Sequence, residues 1–334
     1  MGEIMKVVIS DDYLDCVKTL DCYSKMSEHD VTIYNDTVKD VDAIAERYQP
    51  AEAVVLIRER TKITDELLSK LPNLKFISST GGGTRHIDVE ACTRHGVVVA
   101  SHGTGNPWKR FSGTGSQEVV LVWGLIISAA RNIPQEVQAL KEGKWDISLG
   151  DSLENKTLGI YGYGRIGRPV GRVAQALGMR VLVWGRETTA QRAKEDGVDM
   201  ATSREEFFSS SDVLTIHLPV VPSTHGIVTA ADLAMMKSTS ILINASRAII
   251  IEEGALVDAL RVGRPGKAAV DVYEEEPVLN GDHPLLKMDN VVCTPHLGYV
   301  TKEGHETAFG AAFDRLNAYV KGEPEGVINL ELLK

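Results

Sequence analysis

The sequence predicts an α/β protein made of two doubly wound parallel-sheet domains. Short apolar segments of strand length alternate with helical segments over residues 6–99, and the same alternation restarts at Leu158. Strands that alternate with helices are typical of parallel sheets covered by helices on both faces. A length of 334 residues agrees with two domains.

The first region supplies five strands and three helical segments. The strands are predicted at residues 6–10, 31–34, 53–57, 75–79 and 97–99. The helices are predicted near residues 14–26, 39–48 and 64–70. Thr64 begins the third helical segment and is a residue type that caps helix N-termini.

A segment rich in Gly, Ser and Thr, residues 101–116, indicates the first crossing between domains. An apolar helix over residues 117–131 and a shorter helix ending at Gly143 follow it. Six further strands are predicted at residues 158–161, 180–184, 213–216, 240–243, 267–270 and 291–293. A last helix over residues 302–321 is expected to pack back on the first domain. The predicted domains are therefore residues 1–103 with 299–334, and residues 104–298.

Composition excludes several classes of function. The net charge of −10 argues against nucleic acid or an anionic membrane as a partner, because both select basic surfaces. The four cysteines form no C-x-x-C pair and the nine histidines show no metal-ligand spacing, so no metal site is expected. The N-terminus lacks the apolar core of a signal peptide, and the run Val119–Ala130 is too short to span a bilayer. We expect a cytoplasmic protein.

A glycine motif over residues 162–167 joins a buried strand to a helix. Gly162 allows a tight turn, Gly164 leaves the backbone bare for a pyrophosphate, and Gly167 lets the helix pack closely on the strand. The helix N-terminus offers unpaired N–H groups to phosphates. Because a further strand follows at residues 181–184, the motif predicts a dinucleotide site.

Three later strands end in side chains suited to acid–base chemistry. Arg247 follows one strand and can bind a carboxylate with two parallel hydrogen bonds. Glu276 lies in an acidic loop after the next strand, and His296 ends the last one. The carboxyl ends of parallel strands form one edge of a sheet, where ligands of such folds bind. A histidine there is a candidate acid–base, since its unperturbed pKa lies near neutrality.

These motifs, in this order, resemble the D-isomer-specific 2-hydroxyacid dehydrogenases, especially the glyoxylate/hydroxypyruvate reductases. The resemblance covers nearly the whole chain and includes residues 162–167, 244–247, 269–277 and 294–298. It implies a Rossmann nucleotide-binding domain, a flavodoxin-like substrate domain and a cleft between them. The implied activity is NAD(P)-dependent interconversion of a 2-ketoacid and a D-2-hydroxyacid, running as a 2-ketoacid reductase.

The resemblance also implies residue roles. His296, held protonated by Glu276, would give a proton to the keto oxygen, while Arg247 clamps the carboxylate and polarises the carbonyl. The backbone N–H groups of Gly82 and Gly83 would bind the substrate carboxylate. Arg58 or Arg60 would meet the distal end of the substrate, the alternative being that both are surface charges. The expected cofactor contacts are Gly162, Gly164, Arg165, Ile166, Gly167, Trp184, Gly185, Arg186, His217, Leu218, Pro219, Thr224, Asn244, Ala245, Ser246, Asp271 and Gly298, with Asp271 on the nicotinamide carboxamide.

One position departs from the NAD-specific pattern. An acidic residue is expected at the end of the second strand of the dinucleotide fold, where it binds the ribose hydroxyls. Gly185 fills that position and Arg186 follows it. This pair resembles NADP-using reductases and favours NADP, whereas a Glu187 that reaches back to the ribose would favour NAD.

Two other functions remain open from the sequence. The same fold serves dinucleotide-sensing corepressors, and a branch of the family oxidises formate or phosphite, although Glu276 argues against the formate branch. The apolar helix over residues 117–131 carries more hydrophobic surface than one face needs, and the resemblance implies a homodimer formed through the nucleotide domain. Hinges are expected at residues 103–115 and 298–301. Within residues 106–111, Trp108 and Phe111 either pack the hinge or line the substrate pocket, and the sequence does not name the physiological acid.

Overall fold

The computed structural model describes residues 4–102, 113 and 115–333. Contacts divide the chain into two units. Unit 1 comprises Met1–Arg110 and Thr301–Lys334, and unit 2 comprises Phe111–Val300. The predicted domain boundaries lie at 103/104 and 298/299, and the functions assigned to the two domains stay predictions.

Unit 1 contains a five-stranded parallel sheet. Its strands are β1 (Lys6–Ile9), β2 (Asp30–Ile33), β3 (Ala53–Leu56), β4 (Phe76–Ser79) and β5 (Val98–Ala100). They pair in the order β2-β1-β3-β4-β5. This order is that of a flavodoxin-like doubly wound sheet, which confirms the predicted class.

Helices cover both faces of this sheet. They are α1 (Val41–Tyr48), α2 (Asp65–Ser69), α3 (Val89–Arg94) and the long α11 (Lys302–Val320). The Thr64 hydroxyl accepts a hydrogen bond from the Leu67 N–H, which confirms the predicted cap. Phe309, Phe313 and Leu316 of α11 are buried against one face of the sheet. The last helix therefore belongs to the core of unit 1.

The helical stretch predicted near residues 14–26 is divided into two 3₁₀ helices, Val17–Thr19 and Asp21–Met26. The Asp12 carboxylate accepts hydrogen bonds from the N–H groups of Cys16 and Val17, at the start of the first of them.

Unit 2 contains a seven-stranded parallel sheet. Its strands are β6 (Thr157–Tyr161), β7 (Arg180–Trp184), β8 (Asp199–Met200), β9 (Val213–Ile216), β10 (Ile241–Asn244), β11 (Lys267–Val270) and β12 (Val291–Cys293). Their order is β12-β11-β10-β9-β6-β7-β8. The winding direction reverses between β6 and β9, and ligands of open α/β sheets bind at the carboxyl ends of strands at such a reversal. This is the expected Rossmann arrangement, with the unpredicted two-residue strand β8 at one edge.

Seven α-helices belong to the described part of unit 2. They are α4 (Gln117–Ala130), α5 (Ile133–Lys141), α6 (Gly167–Ala176), α7 (Glu187–Asp196), α8 (Arg204–Ser210), α9 (Ala230–Met235) and α10 (Ala255–Arg261). Apolar clusters fill both sides of the sheet, and α4 contributes seven buried side chains to one of them. Within the described ranges, no helix has the length and apolar character needed to cross a bilayer.

Candidate active site

The glycine motif forms the turn between β6 and α6. Gly162 has φ +95°, and a Cβ atom there would lie 2.6 Å from the carbonyl oxygen of His217. A Cβ at Gly167 would collide with the carbonyl of Gly162. Both positions therefore require glycine for the fold itself. Gly164 differs from both. A Cβ atom added there would contact only Nη1 of Arg192, at 3.7 Å, so the packing of the fold does not require glycine at this position.

Charged side chains flank this turn. Arg165 forms an ion pair with Glu118 of α4 at 3.0 Å, and Ile166 is the N-cap residue of α6. Arg192 of α7 donates from Nη1 to the carbonyl of Tyr163 at 3.3 Å. Sequence reasoning missed Arg192, since nothing in the sequence spacing of α7 places it over the turn.

The end of β7 carries the residues expected to select the cofactor. Trp184 closes the strand and Arg186 is the N-cap residue of α7, with no hydrogen bond from its side chain to the helix. A Cβ at Gly185 would lie 2.5 Å from Oγ1 of Thr189. An acidic side chain at position 185 would therefore require Thr189 to move.

Hydrogen bonds join the loops that follow β9 and β10. His217 continues from β9 by donating its N–H to the carbonyl of Tyr161 at 2.8 Å. The Ser246 hydroxyl donates to the carbonyl of Leu218 at 2.8 Å, and the Thr224 hydroxyl donates to the carbonyl of Pro219 at 2.7 Å. The structure thus brings the predicted contacts at residues 217–219, 224 and 244–246 together beside the glycine turn.

His217 is unsuited to acid–base chemistry. Burial lowers the pKa of its imidazole to about 3, so the ring is neutral at physiological pH. Its Nε2 lies 3.0 Å from the hydroxyl of Thr215. The ring is a structural element of the strand end.

His296 and Glu276 form a close pair. Nδ1 of His296 lies 2.6 Å from Oε2 of Glu276, and the other carboxylate oxygen accepts from the Tyr273 N–H at 3.0 Å. Burial by itself would raise the pKa of Glu276. The hydrogen bond and charge of His296, together with the charge of Arg247, outweigh burial and lower it. Glu276 is therefore an anion at neutral pH, and Nε2 of His296 is the nitrogen left for a substrate.

Arg247 begins the turn after β10. The Asn244 side chain donates to the carbonyl of Arg247 at 3.0 Å, and the guanidinium donates to the carbonyl of Ser246 at 2.7 Å. The charge of Arg247 lowers the pKa of Glu276. Arg247, Glu276 and His296 follow β10, β11 and β12, which are neighbouring strands of the sheet. Residues that follow three separate strands therefore meet at one edge of unit 2.

Asp271 holds the turn that carries His296. Its carboxylate accepts from the hydroxyl of Thr294 at 2.6 Å and from the N–H groups of Leu297 at 2.7 Å and Gly298 at 3.0 Å. His296 itself has φ +53°, a left-handed conformation that is uncommon for a residue with a side chain. Burial raises the pKa of Asp271 against these hydrogen bonds. Its predicted contact with a carboxamide stays a prediction.

The predicted substrate residues of unit 1 follow β3 and β4. The Arg58 N–H donates to the Thr80 hydroxyl at 3.0 Å, and a Cβ at Gly81 would lie 3.7 Å from Cδ of Arg58. Arg58 therefore lies against the glycine loop. Arg60 instead donates to the carbonyl of Asp11 at 2.5 Å and lies over the ring of Tyr13.

The two central glycines of this loop leave little room for side chains. A Cβ at Gly82 would collide with the imidazole of His102, and one at Gly83 would lie 2.5 Å from Oε1 of Glu59. Of the hinge predicted at residues 103–115, residues 103–112 and 114 lie outside the described residues, and so does the segment 106–111 with Trp108 and Phe111.

A family model identifies this architecture. The NAD binding domain of the D-isomer specific 2-hydroxyacid dehydrogenases matches residues 123–298, more than half of the chain. The chain belongs to this family. Its members are oxidoreductases, and the matched region contains the glycine turn and all three residues of the Arg247, Glu276 and His296 cluster.

Curated relatives of this chain differ in the substrate that their names give. It is 34% identical over 331 residues to D-3-phosphoglycerate dehydrogenase of Methanocaldococcus jannaschii, covering 98% of this chain and 60% of that protein. It is 35% identical over 310 residues to glyoxylate reductase of Aeropyrum pernix, covering 86% and 90% of the two chains. It is 32% identical over 334 residues to hydroxypyruvate reductase of Blautia hydrogenotrophica, covering 97% and 100%. The chain therefore spans 60% of the length of the phosphoglycerate relative.

A solved structure agrees with this assignment. A crystal structure from Ralstonia solanacearum matches with a TM-score of 0.92 at 45% identity, covering 99% of this chain and 98% of that one. The site also contains a supporting residue that the sequence did not reveal. Tyr273 donates its hydroxyl to the Thr294 carbonyl at 3.0 Å and its N–H to Glu276, and so ties the loops of Glu276 and His296 together.

Proposed function

We propose that this protein is an NAD(P)-dependent D-2-hydroxyacid dehydrogenase that reduces small 2-ketoacids of the glyoxylate and hydroxypyruvate type. The observation that carries the proposal is the contact of 2.6 Å between His296 and Glu276, with Arg247 close enough to affect the same carboxylate. The contact engages Nδ1 of His296 and leaves Nε2 to face a substrate. The pair is therefore equipped to deliver a proton at Nε2.

The proposed reaction divides between the cofactor and this chain's own residues. NAD(P)H, when bound, supplies the hydride. His296 donates a proton to the substrate oxygen from Nε2, and Glu276 stabilises the imidazolium before that transfer. Arg247 binds the substrate carboxylate. Its guanidinium also polarises the carbonyl and stabilises the negative charge that develops on the carbonyl oxygen. In the oxidative direction, the neutral His296 accepts the hydroxyl proton.

We assign carboxylate binding to the backbone N–H groups of Gly82 and Gly83. Arg58 is the better candidate for the distal end of the substrate, because it lies against the glycine loop, whereas Arg60 is bonded to the Asp11 carbonyl and stacked on Tyr13. The relatives act on phosphoglycerate, glyoxylate and hydroxypyruvate by name, and all three contain a carboxylate next to the reacting carbon.

For the cofactor, we propose NADP rather than NAD. Residues 123–298 match the NAD binding domain of the family, so we take the dinucleotide to bind as it does in that family. Gly185 has no carboxylate that could bind the ribose hydroxyls. A Cβ atom at this position would lie so close to Thr189 that an acidic side chain would require Thr189 to move. Arg186 at the start of α7 then offers a planar cation to a 2′-phosphate.

We propose a cytoplasmic homodimer. Apolar side chains of α5 and the segment after it are exposed, including Leu140 at 58%, Trp145 at 80% and Leu149 at 97%. Hydrogen bonds from Ser148 to Glu136 hold this segment beside α5. Contiguous exposed apolar surface is typical of protein interfaces. The four free cysteines agree with a reducing compartment.

The experiment that tests this proposal is a substrate panel. The purified protein is mixed with NADH or NADPH and with glyoxylate, hydroxypyruvate, pyruvate or a bulkier 2-ketoacid, and cofactor oxidation is followed together with the chirality of the product. We expect turnover of the small ketoacids and D-configured product wherever a stereocentre forms. Tight cofactor binding with no turnover of any ketoacid would contradict the proposal and favour a dinucleotide-sensing protein.

A further inference from the structure

Arg315 is a buried cation in the core of unit 1. Arg315 is 5% exposed, and its side chain extends from α11 toward the end of β4. Nη2 donates to the carbonyl of Ser79 at 2.7 Å, and Nε lies 3.4 Å from the hydroxyl of Ser78. A Cβ at Gly326 would lie 3.0 Å from its Cδ, so the C-terminal turn closes over the side chain.

The charge of Arg315 is not balanced by a neighbouring carboxylate. Among the described residues, no acidic side chain forms an ion pair with it. Asp314 is the one acid whose charge acts on its pKa, and the Asp314 side chain is 60% exposed and paired with Lys25 at 2.7 Å. Burial lowers the pKa of Arg315 to about 10, so the group is a cation at neutral pH. Buried charges are normally paired, because an unpaired one is costly.

The uncompensated charge lies at the base of the glycine loop. Ser79, whose carbonyl accepts from Arg315, ends β4, and its hydroxyl accepts from the N–H of Gly81 at 3.1 Å. Gly82 and Gly83 follow directly. A cation in a low-dielectric interior acts on nearby charges more strongly than a solvated one. An anion on this loop would therefore be attracted by a charge that solvent does not screen.

We propose that Arg315 is a positioning residue that supplies the positive potential for carboxylate binding at the Gly81–Gly83 loop. Arg315 contacts the loop through Ser79 and does not touch the substrate. Its stabilising effect is specific for the anionic end of the substrate. This inference rests on the proposed function, because it takes the loop to be the carboxylate site.

The test compares Arg315→Met with Arg315→Lys. Methionine fills a similar volume without charge, whereas lysine retains the charge and loses the planar donors. For Arg315→Met, we expect the KM for hydroxypyruvate and the inhibition constant of oxalate to rise about tenfold, equivalent to about 1.4 kcal/mol. The KM for NAD(P)H should stay within about twofold. Arg315→Lys should recover most of the hydroxypyruvate affinity.

Asp314→Asn is the matched control, because it changes the adjacent exposed position of α11 and should leave the hydroxypyruvate KM unchanged. Thermal denaturation is measured for every variant, and all kinetics are run well below the lowest midpoint. Equal losses in the Met and Lys variants, or an unchanged hydroxypyruvate KM in Arg315→Met, would overturn the inference while the proposed function stands. A wild-type protein that reduces no 2-ketoacid would contradict both the proposed function and the inference about Arg315.

Discussion

Nδ1 of His296 and Oε2 of Glu276 lie 2.6 Å apart, although 20 residues separate them in the chain. One follows β12 and the other follows β11, so the contact joins two adjacent strand ends. Three further hydrogen bonds, from Thr294, Leu297 and Gly298 to Asp271, hold the histidine turn in place. The His296–Glu276 pair is thus held in place by hydrogen bonds within unit 2.

Glu276→Gln should change the pH dependence of stability. The pKa of Glu276 in the fold lies below its ordinary value of 4.5. The folded state therefore binds this proton less readily than the unfolded state, and the carboxylate stabilises the fold above the unfolded pKa. We expect the wild type to have the higher Tm near about pH 7, with the difference shrinking as pH falls through the range below about 4.3. Thermal denaturation as a function of pH measures this.

The chain offers a matched control for that measurement. Glu274 pairs with His283 at 2.9 Å in the same acidic loop, but its side chain is 54% exposed. Exposed ion pairs contribute little to stability. Glu274→Gln should therefore leave Tm nearly unchanged at every pH. A difference in Tm between the wild type and Glu276→Gln that stays constant across the acid range would contradict a lowered pKa of Glu276.

Gly164→Ala should separate cofactor binding from folding. The added methyl group meets only Nη1 of Arg192, at 3.7 Å, so Tm should stay within about 2 °C of the wild type. The same methyl lies where we propose that a pyrophosphate contacts backbone, so affinity for NAD(P)H should fall at least about tenfold, or about 1.4 kcal/mol. Gly162→Ala, which would place its methyl 2.6 Å from the His217 carbonyl oxygen at φ +95°, should lose stability as well. Fluorescence titration with NAD(P)H measures the affinity of each variant for the cofactor. A Gly164→Ala protein that binds NAD(P)H as tightly as the wild type would exclude Gly164 from the cofactor site.

Arg186→Gln should lower the preference for NADPH. A hydrogen bond between charged groups contributes about 1.5–3 kcal/mol, so kcat/KM for NADPH should fall about 10- to 100-fold. The value for NADH should change far less. Arg180→Gln, at the opposite end of β7 and paired with Asp199, is the control. A wild type that strongly prefers NADH would contradict the role of Arg186.

The oligomeric state can be tested by light scattering. We expect a mass about twice the 36.4 kDa of one chain. The double substitution Val137→Glu and Leu140→Glu places two charges on the exposed apolar face of α5 and should give monomers. Val262→Glu alters a side chain that is 79% exposed at the end of α10 and should leave the dimer intact. A monomeric wild type would refute the proposed assembly.

Local patterns predicted much of this fold, and long-range contacts explain what they missed. The alternation of apolar strands and helices and the motif at residues 162–167 depend on nearby sequence, so both sheets and the glycine turn were predictable. Arg315 was not, because its burial results from the packing of α11 and the turn at Gly326 on β4. Likewise, Arg192 lies over the glycine turn only because α7 packs beside β7. The pattern also predicted helical structure near residues 14–26 without revealing that it is divided into two 3₁₀ helices.

The central claim is that His296 transfers the proton during reduction of a 2-ketoacid. The most direct measurement is the turnover of His296→Asn, set beside His283→Asn, the histidine that pairs with Glu274. We expect His296→Asn to lose about 10²- to 10⁴-fold in kcat while the protein stays folded and binds NAD(P)H with an affinity close to the wild type, and His283→Asn to retain its turnover. Wild-type turnover in a purified, folded His296→Asn protein would contradict the account.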